Sequence, residues 1–148
     1  MSIEEQNQNQ DPSALRKVYF DAWQKELEKQ PLTPLEAMIV DIIHRHPEYH
    51  ALFSEANHYD DIKFDKFALD HNPFFHLALH VTIAEQVGAD HPKGIQNVYK
   101  RLLSKLGGDK TIVEHKMMEC LARVLIDNHR NMHSANPDSY LESLKRLL

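Results

Sequence analysis

One cysteine in 148 residues, Cys120, leaves no disulfide framework and no cysteine-based metal knuckle, and a reducing cytoplasm is the compartment that suits such a chain. Strand-like alternation of apolar and polar residues is missing, and only four glycines break the sequence, which argues against a sheet protein. No stretch approaches the roughly 20 apolar residues of a membrane span. Met1 to Asp11 lacks the basic and apolar regions of a signal peptide, so the chain is expected to stay soluble. Clustered basic residues are lacking too: 17 Lys and Arg are scattered against 22 Asp and Glu, for a net charge of -5. Nucleic acid and anionic membranes are thereby excluded as main partners. No serine or cysteine stands in the context of an activated nucleophile.

What is present is helical periodicity. The polar stretch 1–11 reads as a flexible tail. Pro12 then opens a helix with Leu15, Val18, Tyr19, Ala22 and Trp23 on one face, and Pro31 ends it. Thr33-Pro34-Leu35-Glu36 has capping-box spacing, followed by a stripe of Leu35, Met38, Ile39, Ile42 and Ile43 that reaches His46 one turn later. Pro47 breaks that run and starts a short helix through Glu48, Tyr49, His50, Leu52 and Phe53. Residues 57–70 show no period and read as a loop. Asn72 and Pro73 make a helix start, and Gly88 supplies a candidate left-handed stop for a helix buried on most sides. Its Thr82, Glu85 and Gln86 share a polar arc, while His76, His80, Ile83 and Val87 face inward.

Ile95 to Leu106 forms a clean amphipathic helix closed by Gly107-Gly108. The longest helix, Thr111 to Asn131, turns Val113, Met117, Leu121, Val124 and Leu125 inward and Lys116, Arg123, Asp127 and Arg130 outward. Asn136-Pro137 begins a last helix through Tyr140, Leu141, Leu144 and Leu147. The fold class is all-α: an up-and-down bundle of about five to six helices in a single domain over residues 12–148.

Eleven histidines are the excess in this composition, and two of them, His76 and His80, lie one turn apart in an apolar stripe. A side chain that titrates near neutrality needs partners or a ligand there. Up-and-down packing brings the turns carrying His46 and His50, His76 and His80, and Glu114, His115 and Glu119 to one layer. Histidine and carboxylate ligands projecting inward from facing helices are how bundles hold zinc, iron or manganese. His76, His80 and Glu114 are the candidate direct ligands; His46, His50, His115 and Glu119 bind the ion or support its ligands. No organic cofactor is indicated. The alternative is a non-enzymatic interaction or scaffold protein whose buried His and Glu side chains form a structural hydrogen-bond network. A metal-free acid–base enzyme with a His/Glu dyad is a third reading. A homodimer and a protein partner are both left open. His44, His58, His71, His91, His129, His133 and Glu85 read as surface residues, and Cys120 as packing.

Several strings carry a family resemblance: Tyr19-Phe20-Asp21-Ala22-Trp23, Pro34-Leu35-Glu36, His46-Pro47-Glu48-Tyr49-His50, Asn72-Pro73-Phe74 followed by His76, His80, Glu85, Gln86 and Val87, and Glu114-His115 with Met117, Glu119, Cys120 and Leu121. From helix one to the C-terminus the chain resembles domain of unknown function 1841. The resemblance implies a small bacterial cytosolic protein and brings no catalytic assignment. A weaker likeness, to hemerythrin-like bundles, rests on His-x-x-x-His and His-x-x-x-Glu spacings, which occur here in a different order. It is a likeness of architecture and does not carry function.

Overall fold

A computed structural model of the chain describes residues 12–54, 72–131 and 137–148. Every regular element among them is helical. The described residues form seven α-helices: α1 (Pro12–Leu27), α2 (Pro34–His44), α3 (His50–Ser54), α4 (Pro73–Ala89), α5 (Ile95–Lys105), α6 (Lys110–Asn131) and α7 (Pro137–Lys145). A 3-10 turn, Pro47–Tyr49, precedes α3. The number slightly exceeds the five to six expected once the short helix anticipated after Pro47 counts as an element of its own. Among the described residues, no helix is long and apolar enough to cross a membrane. The chain divides into two compact units, Met1–Phe64 and Asp65–Leu148.

In the first unit α1 packs on α2 and α3. The capping box at the start of α2 is complete: Glu36 N donates to Thr33 Oγ1 at 3.2 Å, and Thr33 N donates to Glu36 Oε1 at 3.0 Å. Pro34 has no N–H, so two of the three amides that this helix start leaves without partners are thus satisfied. Tyr19, Phe20, Ala22 and Trp23 of α1 are buried, as are Ile39, Val40, Ile42 and Ile43 of α2. Val18 and Leu35, expected inside, are instead exposed. Both stand at the margin of an apolar arc, where Phe20 and Val40 turn inward in their place.

The second unit is built on α4 and α6, which pack together, with α5 and α7 against them. Asn72 caps α4 by accepting from the amides of Phe74 and Phe75, at 3.1 and 3.2 Å. The stop is not Gly88, which lies within the helix. Asp90 takes the left-handed conformation at φ 51°, and its Oδ1 accepts from Gly94 N and Gln96 N. An aspartate tolerates this region when its short side chain can bond locally to the backbone. Gly107 and Gly108, at φ 79° and 82°, turn the chain from α5 into α6. Ile83, Ile95, Leu102, Val113, Met117 and Leu144 are fully buried in the core. Leu125, expected in that core, is exposed. Gln86 also departs from the polar arc assigned to it, since its Oε1 accepts from the hydroxyl of Tyr140 at 2.8 Å.

Candidate metal centre

Two helices build the candidate site. On α4 the first turn is fixed by the Asn72 cap and by His76 N donating to Asn72 O at 3.0 Å, so His76 stands at its N-terminal end. His80 follows one turn later on the same face. At 3.6 residues per turn, an i, i+4 pair is the spacing that puts two rings side by side. On α6, Asp109 Oδ1 accepts from Thr111 N and Ile112 N and fixes the helix start, which places Glu114 and His115 in its second turn. α4 and α6 pack directly, so these two turns meet.

The meeting is close. The rings of His76 and His115 have centroids 4.9 Å apart, those of His80 and His115 5.2 Å, and those of His76 and His80 5.8 Å. Taking one ring nitrogen from each, the three residues bring these atoms within 4.8 Å of one another. An ion with nitrogen bonds of about 2.0 to 2.1 Å needs tetrahedral ligands about 3.4 Å apart, a gap that side-chain rotation spans. His80 is wholly buried, and Glu114 is 6% exposed. Glu114 Oε2 lies 3.4 Å from His80 Nε2. His76 and His115 are half-buried and keep an edge towards solvent. Imidazole and carboxylate, without thiolate or thioether, form a donor set that suits zinc, iron or manganese.

His46 and His50 belong to the first unit. His46 is buried, its Nδ1 donates to Ile42 O at 2.7 Å, and its ring stacks on Tyr49 with centroids 5.3 Å apart. His50 donates from Nε2 to Ile43 O at 3.0 Å. Burial holds the Tyr49 phenol up to about 12, helped by the neighbouring Glu48 charge. Glu119 is exposed: one further turn along α6 carries it away from the cluster to the surface. Glu85, His44 and His91 are also exposed, whereas His58, His71, His133 and the loop 57–70 lie outside the described residues.

Sequence reasoning missed a ring cluster in the first unit. Trp23 lies 4.9 Å, by ring centroids, from both His44 and His50. The signal available was the inward position of Trp23 on α1, but its partners depend on how α2 and α3 meet α1.

An all-helical protein whose second unit encloses a histidine and carboxylate cluster is the class these features define. The chain belongs to the family described as Domain of unknown function (DUF1841), whose model matches residues 3–146, all but two residues at each end. No curated protein and no solved structure matches it.

Proposed function

We propose that this protein binds a transition-metal ion through His76, His80 and His115, with the Glu114 carboxylate beside them. One observation carries the reading: three imidazoles from two separate helices converge on one small volume that includes a buried carboxylate. Imidazole nitrogens gathered beside a buried carboxylate offer lone pairs to a divalent cation, whose charge balances the carboxylate. Zinc, iron and manganese are the candidate ions. The single cysteine and the acidic balance support a cytoplasmic protein that does not use nucleic acid or membrane as its partner.

Elemental mass spectrometry of tag-free protein tests this reading. A near-integral content of zinc, iron or manganese is expected, lost in the His76→Ala/His80→Ala variant. Chelator should lower the melting temperature and added metal should restore it, since a ligand at about 100 times its Kd adds about 2.7 kcal/mol to stability. Metal-free protein that melts identically with and without chelator and metal would overturn the proposal.

The contact between His80 and Glu114 favours a second reading, in which the cluster is a polar network that fixes the register of α4 against α6. That reading predicts no response to chelator.

A further inference from the structure

Glu114 has two chemically different ways of serving this cluster: as a ligand to the ion, or as the group that decides which nitrogen of His80 faces it. The contact with His80 discriminates between them. Glu114 Oε2 stands 3.4 Å from Nε2 of His80, with both side chains buried between α4 and α6. An ionised carboxylate offers only lone pairs, and a neutral imidazole carries one N–H and one lone pair. A lone pair on Nε2 would face the carboxylate lone pairs at that distance, in surroundings with little water to screen them. An N–H on Nε2 turns the same contact into attraction. The lone pair is then left on Nδ1, and a metal needs a lone pair.

We propose that Glu114 is a positioning residue, which holds His80 with its proton on Nε2 and presents Nδ1 to the ion bound by His76 and His115. This rests on the metal reading above and assigns the carboxylate a place behind a ligand instead of on the ion. His46 in the first unit shows the opposite polarity: its Nδ1 donates to Ile42 O, which leaves the lone pair on Nε2. A carboxylate behind a ligating histidine fixes the ring and raises its basicity. His80 is the member of the cluster for which this matters most, because it is wholly buried and water does not reach it to take the same role.

The test is long-range proton–nitrogen NMR on protein labelled with 15N-histidine, recorded metal-free and with zinc. In the metal-free protein His80 is expected as the Nε2–H tautomer; zinc should then shift Nδ1 and leave Nε2 protonated. Zinc affinity should fall about 10- to 100-fold in Glu114→Leu, the range seen when a partner behind a ligand is lost. Glu114→Gln, whose amide oxygen can face an Nε2–H in the same place, should fall less and keep the tautomer. Zinc bound at Nε2 of His80, an Nδ1–H tautomer in the metal-free protein, or loss of zinc stoichiometry in Glu114→Gln as complete as in His80→Ala would each overturn it. If wild-type protein takes up no metal, the metal reading fails by itself, and the tautomer of His80 still decides whether Glu114 sets it. Should Glu114→Leu fail to fold, Glu114→Gln and the wild-type spectra carry the test.

Discussion

His80 and Glu114, 34 positions apart in sequence, meet with Nε2 and Oε2 3.4 Å apart in the packed zone between α4 and α6. Both are desolvated, so neither tolerates loss of the other. His80→Leu leaves a buried carboxylate without its neighbour and is expected to cost about 3 to 5 kcal/mol. The double variant His80→Leu/Glu114→Leu should recover part of that, with a coupling of about 0.5 to 3 kcal/mol. Urea unfolding followed by circular dichroism in the presence of chelator measures it without any metal contribution. Strict additivity would show that the pair does not interact in solution.

The capping box of α2 gives a prediction in both sequence and pH. Thr33→Ala removes the acceptor for Glu36 N and should cost about 0.5 to 2 kcal/mol. The ion contact with Lys25, at 2.7 Å, is the main cause holding the Glu36 carboxyl below its ordinary value, followed by the backbone hydrogen bond at Thr33. A carboxyl whose folded pKa is depressed contributes stability that is present above its unfolded pKa and is lost as pH falls through the folded one. Wild-type protein should therefore lose melting temperature over the acid side of the carboxylate range more steeply than Glu36→Gln does.

Two phenols give the alkaline counterpart. Burial raises Tyr140, with the Cys120 charge adding to it, and burial raises Tyr49 to about 12. Folding favours their protonated forms. The associated stability is complete below the ordinary tyrosine value near 10 and is lost as pH rises towards the folded values. Absorbance at the tyrosinate band should show two tyrosines ionising late, one of them absent in Tyr140→Phe. That variant also leaves Gln86 Oε1 without its donor and should lose about 1 to 3 kcal/mol.

Cys120 is expected to be inert. Burial raises its thiol, only partly offset by a side-chain hydrogen bond with Ser143 and by the Arg123 charge, and the thiolate is the reactive form. A disulfide reagent at neutral pH should react slowly with the folded protein and quickly after denaturation. Equal rates would place the thiol in solvent.

Local chemistry made much of the fold legible. Thr33 to Glu36, Asn72-Pro73 and Gly107-Gly108 are helix signals whose partners lie within a few residues, and each forms as read. Gly88 misled because the left-handed position is held by Asp90, stabilised by amides four and six residues ahead that no helix-stop rule includes. Apolar stripes located the faces but not their edges: Val18, Leu35 and Leu125 sit at margins where a small rotation of the helix decides burial. At the candidate site, the wheel position of Glu114 was sufficient to read it as buried. The closeness of His115 to both rings of α4 depends on the angle at which α6 meets α4, and sequence spacing carries no such information. Glu119 shows the same limit from the other side, since its i, i+4 relation to His115 is satisfied by an exposed turn.

Glu114 and His115 are consecutive on one helix, each reaching a different part of the α4 cluster. One residue added inside α6 ahead of them would swing both by about 100° and advance them about 1.5 Å along the axis, emptying the cluster in a single event. Lengthening the Gly107-Gly108 turn carries no such penalty, because it precedes the helix and leaves its internal phase intact. Homologous chains that share the cluster should therefore vary in length at this turn and keep a constant count from the start of α6 to Glu114.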